Sequence, residues 1–156
     1  MFLVECKPDA ALVRSLTLTS RRNVQHAGNK SELLKTITER YINSKGIIDE
    51  DPQSIQPPQM QRFKEKQNLT RYGIRILHQT NRNNTLIILC PKLEDWILEA
   101  AQELNIDLEK FNLPNDPEKL HKEINIQIDK FQRLVEELKT KSNRLKKLEK
   151  HLTTKS

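Results

Sequence analysis

The sequence predicts an α/β protein in which helices flank a mainly parallel sheet. Short apolar runs with β character alternate with segments of helical periodicity, in the order β-α-β-α-β, then a polar stretch, two strands and further helices. Alternation of this kind is typical of parallel sheets with helices on both faces. The run from Thr85 to Cys90 is apolar on both sides, as expected for a central strand of a covered sheet.

The first three strands and two helices follow from local patterns at the start of the chain. Pro8 and Asp9 open a helical pattern. Asn29, with Glu32 three residues later, resembles a capping box and predicts the beginning of the second helix. The predicted strands cover 2–6, 23–27 and 47–49.

A long polar loop is predicted at residues 52–70, because Gln and Pro dominate a stretch with little to bury. Two more strands are predicted at 72–77 and 85–90. The connection 81–84 is short enough for a hairpin, so this pair is expected to add an antiparallel member to the sheet. Pro91 then starts a helix in which Trp96 is expected to lie in the core.

The C-terminal segment predicts one long helix. Residues 113–117 form a hinge, and nothing from about Lys119 to Leu152 breaks a helix. Apolar residues step by threes and fours, which is heptad spacing, and the helix would be roughly 50 Å long at 1.5 Å per residue. Two alternatives stay open: the helix kinks and packs on the sheet, or its far end projects and pairs with another chain. The predicted organisation is therefore an α/β domain at 1–113 and a helix at 118–153.

Charge is distributed unevenly between these two parts. Residues 1–118 hold 16 basic and 16 acidic side chains, whereas 119–156 hold 11 and 5, so the net charge of +6 lies in the last quarter. A basic segment of this kind indicates an anionic or acidic partner, or simply a solvated lysine-rich face. The two cysteines are expected to be reduced, which favours a cytoplasmic location. No apolar run is long enough to predict a membrane span.

Acidic side chains follow three of the predicted strands. Glu5 ends the first strand, Asp49 and Asp51 end the third, and Glu94 comes just after the last. Because the carboxyl ends of parallel strands meet at one edge of a sheet, these carboxylates are expected to gather there. A hard divalent cation such as Mg²⁺ relieves the repulsion within such a cluster. The alternative is that the acids cap the helices that follow the strands.

The motifs around these acids resemble those of the Toprim family, which has a Rossmann-like sheet. The matching stretches read VECKPD at 4–9, NVQHAG at 23–28 and GIIDEDP at 46–52, and the later PKLEDW at 91–96 is similar to a stretch in small stand-alone members. Cys6 stands where the family usually has glycine. The resemblance implies Mg²⁺- or Mn²⁺-dependent chemistry on DNA or RNA phosphodiesters, as in the nucleases of the family. It implies that Glu5 is a general base or metal ligand, and that Asp49, Asp51 and Glu94 hold the metal.

Several basic residues are predicted to contact the nucleic acid. Lys7 in the proposed catalytic site, and Lys30 in the first turn of a helix, are expected to touch phosphate. Three more cations of the polar loop are expected to steer a phosphate backbone beside the site: Arg62, Lys64 and Lys66. The alternative for all five residues is that they are solvated surface charges. An alternative function stays open, in which the chain is a non-catalytic binding or accessory subunit. It would then form a homodimer, or engage a partner protein, through residues 119–152.

Overall fold

A computed structural model of the chain describes residues 1–155 and confirms the α/β class. Six strands and six α-helices form, joined by short 3₁₀ turns at Pro58–Arg62 and Thr70–Tyr72, among others. The strands are β1 (Phe2–Val4), β2 (Val24–His26), β3 (Lys45–Asp49), β4 (Lys64–Leu69), β5 (Ile74–Gln79) and β6 (Asn84–Leu89). The helices are α1 (Lys7–Thr17), α2 (Lys30–Arg40), α3 (Leu93–Glu103), α4 (Pro117–Ile126), α5 (Ile128–Lys139) and α6 (Asn143–Thr153).

The strands form one mixed sheet in the order β2-β1-β3-β6-β5-β4. The four strands β2, β1, β3 and β6 run parallel, while β5 pairs antiparallel with both β6 and β4. The predicted hairpin and its antiparallel member are therefore confirmed. Every residue of β6 is buried, as its two-sided apolar pattern predicted for a central strand.

Helices cover the two faces of the sheet unequally. On one face, α1, α3, α4, α5 and α6 enclose a large core around Trp96, which is fully buried and donates its indole N–H to the Tyr72 carbonyl at 2.8 Å. On the other face, α2 packs Leu33, Leu34 and Ile37 against the sheet. The Asn29 side chain caps α2 by accepting a hydrogen bond from the Glu32 amide at 2.8 Å, so the predicted helix start is confirmed.

The prediction of one continuous C-terminal helix is wrong, because the segment folds into α4, α5 and α6. The backbone leaves the helical region at Gln127 (φ −116°, ψ 68°). Ser142 then caps α6, since its hydroxyl accepts a hydrogen bond from the Leu145 amide at 3.3 Å. The three helices pack on the domain and bury the apolar residues that suggested a heptad, including Phe131 and Leu138, each 0% exposed. Of the two alternatives, the kinked and packed one describes the structure.

The predicted loop at 52–70 is also wrong in its second half, which contains β4. All residues of β4 except Leu69 are exposed, and the strand lies at the edge of the sheet. An edge strand without a buried face shows no apolar alternation, so the sequence carried no signal for it. Among the described residues, none of the helices has the length and apolarity needed to cross a membrane.

Candidate metal centre

The parallel strands bring the predicted acids to one edge of the sheet. Glu5 directly follows β1 and accepts a hydrogen bond on Oε2 from the Asp49 amide at 3.2 Å. Asp49 ends β3, and its Oδ1 accepts from the Leu93 amide at the first residue of α3, at 3.0 Å. Glu94 is the next residue of that helix. Strand and helix ends from three separate stretches of the chain therefore converge as the motif spacing predicted.

A fourth carboxylate, Asp9, belongs to the same group although it was not among the predicted ligands. It lies in the first turn of α1, is 4% exposed, and accepts hydrogen bonds from the amide and the thiol of Cys6, both at 3.3 Å. Burial is the main cause that raises its pKa to about 7, and the charge of Glu5 adds to the effect. The sequence signal for this residue was its place at the start of α1, close behind Glu5.

The pKa values are raised in all four members of this acidic cluster, which comprises Glu5, Asp9, Asp49 and Glu94; burial is the first cause in each, and repulsion between members adds to it for Glu5, Asp9 and Asp49. For Asp49 the pKa rises to about 8, first because of burial and then because of the charges of Asp9, Glu5 and Glu94. Burial is also the first cause of the raised pKa values of Glu5 and Glu94. The ionised forms of these carboxylates are therefore destabilised, and a bound cation would remove that destabilisation.

Among the described residues, one ion pair reaches the cluster, and it comes from His121 on α4. Its Nδ1 lies 3.2 Å from Oε1 of Glu94, and the interaction opposes the rise in the pKa of that carboxylate. No sequence pattern points to His121 as a partner of Glu94, because the two residues are 27 positions apart and meet only through the packing of α4 on α3.

Asp51 lies at the same edge but not for the predicted reason. The prediction assumed an extended backbone that would point Asp49 and Asp51 to one side. Instead β3 ends at Asp49, and Asp51 adopts a positive φ of 44° in the turn that follows. Its side chain is 38% exposed and lies 3.8 Å from the ammonium of Lys92. It is therefore better hydrated than the four members of the acidic cluster.

Two clefts open beside the carboxylates, and both are lined by Asp49 and Asp51. The larger, about 770 Å³, lies against the first turns of α3 and α4 and includes Glu94 and His121. The smaller, about 420 Å³, lies against the first turn of α2 and includes Glu5. A ligand bound in either cleft would contact a carboxylate of the cluster.

The predicted phosphate-binding lysines differ in how close they lie to the site. Lys30 lines the smaller cleft, its Nζ donates to the Glu50 carbonyl at 2.9 Å, and its charge lowers the pKa of Glu5. Lys7 is exposed on the first turn of α1, one residue beyond Cys6. Lys30 is thus held at the site by the chain, whereas Lys7 is only adjacent to it in sequence.

Arg62, Lys64 and Lys66 were predicted to lie beside the carboxylates, but none of them lines either of the two clefts. Lys64 pairs with His78, which pairs with Thr85 near the beginning of β6, so it lies toward the amino ends of the parallel strands. The carboxylates lie at the opposite ends. The position was mispredicted because β4 was taken for a loop that could fold back over the site.

The donor chemistry of the cluster fits Mg²⁺ or Mn²⁺. Within residues 1–155, no group of three or more His, Cys, Asp or Glu side chains is arranged to hold a metal ion. Mg²⁺ does not need such a group, since it keeps several waters and takes one or two carboxylates together with substrate phosphates. Glu5 and Asp49 each have one oxygen engaged by a backbone amide, which leaves the second oxygen for a cation.

Comparisons with known proteins identify no relative of this chain. A search of protein-family models finds no match, and searches of curated proteins and of solved structures likewise find none. The Toprim resemblance therefore rests on the sequence motifs, and the case for function rests on the chemistry of the site.

Proposed function

We propose that this chain is a cytoplasmic, divalent-metal-dependent nuclease with a Toprim-like domain. The observation that supports this best is the acidic cluster itself, in which buried carboxylates from β1, β3 and α3 gather with little opposing charge. Buried charge is costly unless it is paired or coordinates a metal. A protein that keeps such a cluster at the carboxyl edge of a parallel sheet, beside two clefts, has a site suited to a cation and a phosphate.

Each acid has a distinct role in this proposal. Asp49 and Glu5 would hold Mg²⁺ or Mn²⁺, with Asp51 and Glu94 in support. When bound, the ion polarises a phosphate oxygen and makes a water more acidic. The raised pKa of Glu5 suits it to accept a proton from that water, so that it serves as general base or as ligand. His121 orients Glu94 by its 3.2 Å contact.

The cations near the site would position the phosphodiester. Lys30 faces the smaller cleft with Glu5, which is where an incoming phosphate would meet both the metal and a positive charge. Lys7 would contribute from the exposed first turn of α1. A positive group and a metal on one phosphate both stabilise charge that develops during cleavage.

Cleavage assays on single- and double-stranded DNA and RNA test this proposal. We expect cleavage that requires Mg²⁺ or Mn²⁺, stops with EDTA, and falls by at least about 100-fold in Glu5→Gln and Asp49→Asn. Asp107→Asn is the matched control. Asp107 also caps a helical turn, where it accepts a hydrogen bond from the Glu109 amide at 3.0 Å, but its side chain is exposed and it is not part of the acidic cluster. Activity that persists in Glu5→Gln at the level of Asp107→Asn would contradict the assigned roles.

A second candidate is a non-catalytic binding or accessory subunit. It is favoured by one observation: Glu5 and Asp49 already accept backbone amide hydrogen bonds, and Glu94 already contacts His121, so the acids have structural uses. Calorimetry with Mn²⁺ separates the two candidates. Heats that are the same for the wild type and Asp49→Asn, together with no cleavage, would leave only this second candidate. Association through 119–152 would then appear as a dimer mass in light scattering.

A further inference from the structure

A second charged feature lies away from the acidic cluster, on α6 and β4. We call it the basic surface, and it comprises Lys66, Arg71, Lys146, Lys147, Lys150 and His151. The α6 helix buries its leucines and turns Lys146 and Lys150 outward, one helical turn apart. Lys66 is exposed on β4, and Arg71 is exposed on the turn that follows this strand.

The contacts of Tyr72 and the charges that act on His151 indicate that these cations form one surface. Tyr72 has Lys147 Nζ at 5.0 Å and the Arg71 guanidinium at 5.7 Å from its ring centroid, so α6 and the turn after β4 meet there. His151 joins α6 to β4: after burial, the causes that lower its pKa are the charges of Lys147, Lys150, Lys45 and Lys66, and no carboxylate is among them.

Unlike Lys130, Lys139 and Lys141 of the C-terminal segment, the cations of the basic surface have no acidic partner among the described residues. At the end of α5, Lys139 pairs with Glu136 at 2.9 Å, and just beyond the helix Lys141 pairs with Glu137 at 2.5 Å. Within residues 1–155, no carboxylate lies at ion-pair distance from the lysines and the arginine of the basic surface. On α5 charges of opposite sign pair with each other, whereas the one acid of α6, the exposed Glu149, is at ion-pair distance from none of these cations.

We propose that the basic surface binds the phosphate backbone of nucleic acid. Closely spaced cations without acidic partners are the electrostatic footprint of phosphate binding, because each contact releases condensed counterions. Stable binding to a lipid surface is favoured by exposed apolar groups beside the cations. The exposed large apolar residues of the described chain lie elsewhere, at Met1, Leu18, Ile42, Ile55 and Ile126, and the leucines of α6 are buried.

The position of this surface separates it from the carboxylate site. Lys45 is the first residue of β3, and its charge lowers the pKa of His151. Asp49 is the last residue of the same strand. Four residues of extended strand span about 13 Å, which separates the His151 side of the basic surface from Asp49. Arg71 follows the edge strand β4, which lies three strands away from β3 in the sheet. Binding at the basic surface therefore needs neither the acidic cluster nor a metal, and it can hold whether or not the chain is a nuclease.

The test measures binding in EDTA, where metal-dependent cleavage does not contribute. Fluorescence anisotropy of labelled single-stranded and duplex oligonucleotides, DNA and RNA, is recorded for the full chain at rising NaCl. We expect Lys66→Glu with Lys150→Glu to weaken binding by about 10-fold or more and to make the salt dependence shallower by about one to two phosphate contacts. Lys35→Glu with Lys110→Glu is the matched control, because it makes the same charge change at exposed positions on α2 and before α4.

The outcomes decide the proposal in either direction. Weaker oligonucleotide binding in the Lys66→Glu, Lys150→Glu variant alone supports the proposal. If charge reversal disturbs the folding of that variant, the neutral Lys66→Gln, Lys150→Gln variant must also bind more weakly than the wild type. Equal losses in both double variants would mean that only net charge matters and would overturn it. So would the absence of wild-type binding at low salt, or binding to phosphatidylserine vesicles in place of oligonucleotides.

Discussion

Replacing Asp49 by Asn should stabilise the metal-free protein, and by more at neutral pH than in mild acid. The amide keeps an oxygen that can accept the Leu93 N–H, now bonded at 3.0 Å, so the geometry is preserved while the charge is removed. Burial, together with Asp9, Glu5 and Glu94, raises the pKa of Asp49 from 3.8 to about 8. The folded state therefore binds a proton that the unfolded chain has already released at neutral pH.

The sign and size of the effect follow from this difference in pKa. Below about pH 4 both states hold the proton and the carboxyl has no such cost. As the pH rises toward 8, the wild type loses about 1.4 kcal/mol of stability per pH unit, which sums to roughly 4 kcal/mol by pH 7. The Asn variant has no such loss. The difference in the free energy of unfolding between the Asn variant and the wild type should therefore grow by about 3 kcal/mol between about pH 5 and pH 7. Burying the amide also costs free energy, but this cost is the same at every pH and does not affect the change.

Urea unfolding at several pH values measures this advantage directly. Trp96 is the one tryptophan of the chain and is fully buried, so its fluorescence reports the loss of the core. Asp107→Asn is the control with the opposite sign, because hydrogen bonds from Glu109 and Asn115 lower the pKa of Asp107 and its ionised form is favoured by folding. If the free energy of unfolding has the same pH dependence in Asp49→Asn and in the wild type, folding does not raise the pKa of Asp49 and the reasoning fails.

Three further outcomes are expected. Saturating Mg²⁺ or Mn²⁺ should stabilise the wild type by about 3 kcal/mol at 100 times its Kd but leave Asp49→Asn unchanged, as measured by the shift in the urea midpoint with added metal. Phe131→Ala should cost about 3–5 kcal/mol, whereas Ile126→Ala, at a side chain that is 75% exposed, should change unfolding by less than about 0.5 kcal/mol. Gly73→Ala should destabilise far more than Gly28→Ala in thermal melts: both have positive φ, but a methyl group at Gly73 would come within 2.7 Å of buried Trp96, while the space at Gly28 is open. Equal losses of thermal stability in the two glycine variants would show that backbone strain alone, and not the contact with Trp96, causes the destabilisation.

The sequence contained enough information to predict the acidic edge. The strands that carry Glu5 and Asp49 are short apolar runs with clear ends, and parallel pairing fixes where those ends meet. The structure adds the contact between them, which no local pattern encodes. The direction of the Asp51 side chain does not follow from the sequence pattern, because the alternation of side chains in a strand no longer applies once the strand has ended.

The errors at β4 and in the C-terminal segment have a common physical cause. Apolar periodicity reports burial, and β4 has almost no buried side chain to report. In the C-terminal segment the periodicity was real, but it reported contact with α1 and the sheet rather than with a second chain. The breaks at Gln127 and Ser142 involve neither Gly nor Pro, so they are set by tertiary packing and one hydroxyl cap.

At each end of the sheet, backbone groups at helix ends partly offset the charge of nearby side chains. The first turns of α1 and α3 lie at the acidic cluster, and a backbone amide of α3 donates to Asp49, so partial positive charge faces the carboxylates. At the other end, Lys45 donates to the final carbonyls of α6, at 2.6 Å from His151 and 3.1 Å from Leu152. These helix ends do not bring the pKa of Asp49 back to its ordinary value. In the metal-free protein a proton takes up this charge at neutral pH, and a small hard cation would replace that proton. The pH dependence of the stability of the metal-free protein is therefore a direct measure of the site.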